Sequence, residues 1–444
     1  MSALPVVVVG AGPVGLAAAA ELLERGIEPL VLERGPKAGA AVAQWRHVRL
    51  FSPWSQLVAP AAVRLLALRG WRHPAWDAYP TGKDWVDQYL HHLAAALGDR
   101  VRCDAEVVGV ARQGRDRVVD ADRDSTPLTV QVRTRDGASE RITARGVIDA
   151  SGTWQSPNPL GGDGLPAVGE AAAAEHISYR IPDLDDAGVR ARYAGRHVAV
   201  VGSGHSALTV VVALVGLAHD EPATRVSWVL RREVVDTVFE GHDDDQLPAR
   251  GALGLRARQA ADDRSVRIVP GFRTTAVERD AGGVLALVSV DGRRVEAVDE
   301  VVALTGFRPD LSWLSEVRLE LDPVLQAPVP LAPLIDPNVH SCGTVPPHGV
   351  RELAHPEPGV FLVGMKSYGR APTFLALTGY EQVRSIAAHL AGDRAAAERV
   401  ELTLPEADVR DGAGLLGDPA AAAGGCCAST VPADLVSRPA STTP

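Results

Sequence analysis

Cysteine, lysine and long apolar runs are all scarce in this chain, and each shortage closes a class of explanation. Its 444 residues hold four cysteines, Cys103, Cys342, Cys426 and Cys427, too few and too scattered for a secreted disulfide framework. No uninterrupted apolar run reaches the ~18 residues of a membrane span; residues 198–217 come nearest, and a glycine turn and His205 interrupt them. The N-terminus is apolar but lacks the basic segment of a signal peptide. A cytoplasmic protein is therefore expected. Lysine occurs only as Lys37, Lys83 and Lys366, so the cations are nearly all arginine, as in chains from genomes rich in G and C. A formal net charge of -10 argues against a nucleic-acid surface. No Ser-His-Asp or paired-carboxylate pattern stands out. His340, Cys342, His348 and His355 share one proline-rich segment, but their spacings match no metal site, and no metal is expected.

What the chain does have is a glycine turn between a strand and a helix, and it has it twice. Val6 to Val9 reads as a buried strand, Gly10-Ala11-Gly12-Pro13-Val14-Gly15 as a turn opening an alanine-rich helix, and Val31-Leu32-Glu33-Arg34 as a strand ending in an acid. In such a unit the first glycine makes the turn, the second admits a pyrophosphate, and the third lets helix pack on strand. Pro13 suits the first helical turn, and the free amides at that end favour phosphate. Glu33 stands where a ribose diol would be bound.

The second copy runs from His197 through Val201, Gly202-Ser203-Gly204-His205-Ser206-Ala207, a helix to about Leu217, and a strand from Arg225 to Arg231-Arg232. Short strands with a hairpin signal follow each copy, at Asp136-Gly137 and Asp291-Gly292. Each then closes on an apolar strand ending in glycine, at Gly152 and Gly306. The repeated layout predicts an α/β fold of two Rossmann-like dinucleotide-binding domains with β-meanders. The acid in the first copy suits an unphosphorylated ribose and the two arginines in the second a 2′-phosphate, so FAD is expected first and NADPH second.

The expected boundaries are a first part of the FAD domain at 1–160, an inserted NAD(P)H domain at 161–312 and a second FAD part at 313–392. A low-complexity, disordered tail at 393–444 follows. Residues 37–100 form a tryptophan- and proline-rich insertion, with a helix from Asp84 to Leu97 capped by Thr81. The polar run 113–126 reads as an exposed loop.

On these residues the chain resembles the flavoproteins with two dinucleotide-binding domains, which include thioredoxin-reductase-like enzymes and flavin-containing monooxygenases, over roughly residues 5–392. The resemblance implies hydride transfer from NADPH in the second domain to FAD in the first. It puts Gly152, Gly306, Gly364 and Met365 beside the cofactors, and electrons then pass to oxygen and a small substrate or to a disulfide. Two departures matter. The final strand of the group ends in Gly-Asp, whereas here it is Gly364-Met365-Lys366, which makes Lys366 the catalytic candidate, a cation for charge developing at the flavin's pyrimidine end. No C-x-x-C or C-x4-C follows either glycine turn, which argues against an ordinary disulfide reductase, and the monooxygenase signature F-x-G-x-x-x-H is absent as well.

A monooxygenase-type enzyme is the leading reading, by layout. The alternatives are a thiol/disulfide or metalloid reductase using Cys426-Cys427, and a non-enzymatic redox or nucleotide sensor. Trp45, His47, Phe51 and Trp54 are the candidate substrate wall, with Arg370 and Tyr380 as lesser candidates. The partners expected are a small-molecule substrate, neither nucleic acid nor membrane, and a homodimer as an open option.

Overall fold

In the computed structural model, residues 4–233, 235, 248–339, 345–372 and 374–402 are described. The first unit is built on the valine run. Strands β1 (Val6–Val9), β2 (Pro29–Leu32), β3 (Val101–Arg102), β7 (Gly146–Asp149) and β16 (Val360–Leu362) form one parallel sheet in the order β16-β7-β1-β2-β3. Side chains alternate across a strand, and here the alternation divides two cores. Val6 and Val8 face a helical layer that includes helix Pro13–Glu24 and the closing helix Ala376–Leu390. Val7 and Val9 face an antiparallel meander of β4 (Ala105–Arg112), β5 (Leu128–Thr134) and β6 (Ser139–Ala144). Both faces are covered, so the strand reads as a continuous apolar run.

The second unit repeats this plan. Strands β8 (Ile177–Ser178), β9 (His197–Val201), β10 (Arg225–Val229), β11 (Arg267–Val269) and β15 (Glu300–Ala303) form a parallel sheet in the order β11-β10-β9-β15-β8. Val198 and Val200 face helix His205–Asp220, whereas Ala199 and Val201 face the meander of β12 (Thr274–Arg279), β13 (Leu285–Ser289) and β14 (Arg294–Val298). Two antiparallel connectors join the units: Pro157 bridges Phe307, with Arg308 N–H to Ser156 C=O and Asn158 N–H to Gly306 C=O, both at 2.9 Å.

The insertion's helices cover the outer side of helix Pro13–Glu24. Its longest helical stretch starts at Gly82 behind a capping box, in which Thr81 Oγ1 accepts from Asp84 N–H and Asp84 Oδ2 accepts from Thr81 N–H at 2.9 Å. Three expectations change. Residues 113–126 are not simply an exposed loop, because Arg123 is buried and shares Glu357 with Arg112 (Nη2–Oε2 2.7 Å and Nε–Oε1 2.6 Å). Burial alone would raise the Glu357 pKa; the two guanidinium groups hold it below the usual carboxylate range. The stretch after Arg232 contains a helix, Pro248–Asp262, whose buried stripe of Leu253, Ala257 and Ala260 is too thin to signal itself by periodicity. The ordered chain also continues past 392. Helix Arg394–Glu398 packs on the closing helix, where Arg384 Nη1 donates to Ala396 C=O at 2.8 Å and Ser385 Oγ to Ala397 C=O at 2.6 Å. Among the described residues no helix is long and apolar enough to cross a membrane.

Candidate functional site

Each glycine in the first turn has a distinct constraint. Gly10 has φ +98°, and a Cβ there would meet Ala150 C=O at 2.9 Å. A Cβ on Gly15 would lie 2.0 Å from Gly10 C=O, so the helix can start this close to the strand only without a side chain. Gly12 is the opposite case: nothing in the protein lies within 4 Å of its missing Cβ, and it caps helix Pro13–Glu24 with no side-chain acceptor and no acid in the first turn. That end of the helix is open to an anion. Glu33 has a second role that the spacing did not reveal. Its Oε2 accepts from Ala11 N–H at 2.8 Å and its Oε1 from Gly35 N–H at 2.7 Å, which fixes the turn and leaves lone pairs for a diol. Beyond it a hollow of about 450 Å³ is lined by Arg34, Pro36, Glu106 and Arg133. FAD therefore fits this cradle. Val14 packs beside Gly364 and Gly379 at its other edge.

The second turn matches the first. Gly202 has φ +134°, and a Cβ would meet Leu304 C=O at 2.3 Å; Gly204, like Gly12, has open space and no side-chain cap. Gly204, His205 and Ser206 are exposed at the helix start, and Arg231, exposed, and Arg232, half-buried, follow β10. Arg231 Nη1 donates to Gly162 C=O at 3.4 Å. This cradle fits a nicotinamide dinucleotide with a further phosphate.

Between the cradles, the ends of β7 and β16 meet. Lys366 is no surface lysine: it is 1% exposed, and its Nζ lies 2.7 Å from Asp149 Oδ2, a side chain 0% exposed. The ammonium also donates to Ser151 Oγ at 3.0 Å and stands 4.6 Å from the Trp313 ring. Its charge is therefore matched within the protein by a buried carboxylate. The neighbouring turn at Gly364 (φ +67°) is held from behind. Gln382 Oε1 accepts from Gly364 N–H at 2.8 Å, while its Nε2 donates to Ser367 Oγ and His348 Nε2, both at 2.9 Å. Tyr380 is buried too, and its hydroxyl donates to Leu57 C=O at 2.7 Å.

The histidines of the proline-rich segment have structural partners; His340 and Cys342 lie outside the described residues. The Pro346 carbonyl, 3.0 Å from His348 Nδ1, fixes the tautomer that leaves Nε2 to accept from Gln382. His355 Nδ1 accepts from Glu320 N–H at 3.3 Å. Burial pushes both pKa values down, that of His355 to about 4. Folded pKa values below the unfolded 6.5 mean that this stability is complete above pH 6.5 and is lost as pH falls toward 4, because only the unfolded chain takes up the protons. The thermal midpoint should therefore drop across that window, with a shallower slope in His355→Gln; equal slopes would place the acid sensitivity elsewhere.

The candidate substrate wall divides. Trp54 is buried among the insertion's helices, a core residue rather than a pocket wall. The other three reach the junction of the two units. Trp45 stands 6.5 Å from Trp154, His47 Nδ1 is 3.9 Å from Asp183 Oδ2, and Phe51 meets the His205 ring edge-on at 5.6 Å. Trp154 in turn lies 5.1 Å from Phe307, with the Arg180 guanidinium 3.9 Å above its ring. Trp154, Phe307 and Arg180 were missed as site residues. The available signal was position, since Trp154 and Phe307 directly follow the two closing strands. Cys426 and Cys427 lie outside the described residues.

The profile of the family described as pyridine nucleotide-disulphide oxidoreductase matches residues 7–329. The chain belongs to that family of oxidoreductases. Indole-3-pyruvate monooxygenase YUCCA1 of Oryza sativa is 32% identical over 211 residues, covering 47% of this chain and 44% of the relative. The matches span under half the length of the curated relatives. Among solved structures, bacillithiol disulfide reductase Bdr from Bacillus cereus superposes with a TM-score of 0.63 at 20% identity, covering 88% of this chain and 99% of that one. The cadaverine monooxygenase DfoA from Erwinia amylovora, bound to FAD, gives 0.61 at 15% identity, with 91% and 99% covered. At these identities the superpositions establish the fold alone.

Proposed function

We propose that the protein is an NADPH-dependent FAD monooxygenase acting on a small molecule, with FAD on the first glycine turn and NADPH on the second. One observation carries the assignment: the two cradles share a geometry and differ in charge, with Glu33 at one and Arg231-Arg232 at the other. The flavin, when bound, accepts hydride from nicotinamide and supplies the redox chemistry. The chain's own residues do the rest. Gly12 and Gly204 leave room for pyrophosphate, the helix amides hold it, Glu33 orients a ribose, and the Gln382 amide fixes the Gly364 turn. Trp45, Trp154 and Phe307 shield the junction from water.

The cysteine content supports oxygen over a disulfide as acceptor. Cys103 is the free cysteine among the described residues, and burial, together with Glu33 and Asp104, pushes its thiol pKa up, away from a reactive thiolate. NADPH added without oxygen should bleach the yellow protein, and a substrate should stimulate oxygen uptake. Tail-dependent reduction of a disulfide, lost on deleting residues 415–444, would instead establish the reductase; no bleaching would leave a sensor. Arg231→Ser with Arg232→Ser should raise the KM for NADPH by at least about tenfold, the value of one charged hydrogen bond, and leave that for NADH unchanged. Equal changes for the two nucleotides would remove the 2′-phosphate role.

A further inference from the structure

The tryptophan-rich insertion carries a groove of about 570 Å³ away from both glycine turns. Its inner lining is apolar, with Leu66, Trp71 and Ala96, and its exposed rim carries Arg69, Arg72, His73 and His92. Contacts on either side place it. Arg64, in the helix that leads into the groove, pairs with Glu24 at 2.6 Å. Arg69 Nη2 reaches Ala96 C=O at 3.5 Å, and Arg100, just beyond Ala96 in the chain, pairs with Glu28 at 2.7 Å. Glu24 and Glu28 mark the C-terminal end of helix Pro13–Glu24, so the groove lies toward the end opposite Gly12.

The two arginines are unmatched. Among the described residues neither Arg69 nor Arg72 meets a carboxylate, whereas nearby Arg64 and Arg100 each do. Acid is plentiful in this chain, whose formal net charge is -10. Yet the acid that lines the groove, Asp87, is engaged by Lys83, with Nζ–Oδ2 at 2.8 Å. One wall is also irregular. Residues Val86–Leu90 form a π turn within the helical stretch, and Trp71 Nε1 donates to Gln88 C=O there at 2.9 Å. Such turns recur at functional sites, and this one fixes the indole that lines the groove.

A ligand for this place needs an apolar body for Trp71 and its neighbours and two negative charges for two guanidinium groups. A phosphate monoester supplies both. It carries roughly 1.5 to 2 negative charges at pH 7 and three acceptor oxygens, which two guanidinium forks can share. A carboxylate offers one charge only. The volume falls among sites for small organic molecules, roughly 300–1,000 Å³. We propose that the groove binds a phosphate monoester with a small apolar body, its phosphate between Arg69 and Arg72 and its body against Trp71. The site shares no residue with either glycine turn, so it stands apart from the monooxygenase reading.

The test uses the full chain loaded with FAD. Phenyl phosphate is the probe, with phenol and inorganic phosphate as its two halves, followed by calorimetry and phosphorus NMR line broadening. Phenyl phosphate should bind saturably and about tenfold or more tighter than either half, as one charged hydrogen bond implies. Arg69→Gln with Arg72→Gln should weaken it by about tenfold or more and leave the FAD content and the KM for NADPH unchanged. Ala95→Glu, at an exposed helical position of the same groove, should do likewise by supplying the missing carboxylate. Arg231→Ser with Arg232→Ser should leave the binding intact. Binding lost in that pair instead, and kept in Arg69→Gln with Arg72→Gln, assigns the probe to the second glycine turn and overturns the proposal. No saturable binding overturns it too. So does phenyl phosphate binding no tighter than inorganic phosphate, which is mere counter-ion attraction to exposed arginines. Attachment to phosphatidate vesicles without binding of the soluble probe would make the groove a membrane face, and the proposal would fall.

Discussion

Gly12→Asp is expected to empty the first cradle of FAD while leaving the protein folded and slightly more stable without its cofactor. The new Cβ meets no protein atom within 4 Å, and the backbone at φ -82°, ψ -174° is one an aspartate adopts freely. Aspartate is also a better helix N-cap than glycine, by a few tenths of a kcal/mol. The same carboxylate would face the pyrophosphate. At about 4 Å and an effective dielectric near 20 the repulsion is roughly 4 kcal/mol, or about a thousandfold in affinity. Purified Gly12→Asp should be colourless, with an unfolding midpoint no lower than that of the apo wild type. Gly204→Asp should stay yellow and lose its response to NADPH, because that helix start is equally open. A yellow Gly12→Asp protein would take FAD away from this turn. Gly15→Ala is the contrasting control: its methyl would sit 2.0 Å from Gly10 C=O, so it should fail by misfolding.

Lys366→Met should lower stability by roughly 3–5 kcal/mol, because it leaves the Asp149 charge buried and unmatched. The thermal midpoint should then fall on the order of 10 °C. Adding Asp149→Asn removes the stranded charge and keeps the acceptor that holds Ser151 N–H and Oγ, at 3.0 and 2.6 Å. The double variant should regain most of the loss. Its rate of flavin reduction by NADPH separates the two roles of the lysine. A rate restored with stability means that Lys366 positions the ends of β7 and β16; a rate still slow in a stable double variant returns the lysine to the flavin itself.

The parts legible in the sequence were those with a local cause. The strand–turn–helix units, their meanders and the Thr81 cap follow from glycine spacing, alternation and hairpin residues that act over a few positions. Helix Pro248–Asp262 was not legible, because alanine and glycine give a buried stripe little contrast with the exposed face. The site shows the same division. The geometry of the two glycine turns could be read from the sequence, whereas the Lys366–Asp149 pair joins positions far apart in the chain and depends on β16 lying beside β7. Glu33 could be singled out from its spacing, but its grip on Ala11 N–H belongs to the folded turn. Trp54 and Phe51 look alike in sequence, and only packing sends one into the core and the other to the His205 ring.

The order of strands in the first sheet also bears on how the protein is made. β16 completes that sheet beside β7, yet the whole second unit is encoded between them. At roughly 5–20 residues per second, the ribosome needs about 10–40 s to deliver β16 after β7 has emerged. During that interval β7 has an open edge, Asp149 lacks its lysine and Arg112 and Arg123 lack their glutamate. The second unit, continuous in sequence, can close meanwhile. If the proposed assignment holds, NADPH-binding competence on a nascent chain should therefore precede retention of FAD, although the first glycine turn is synthesised first.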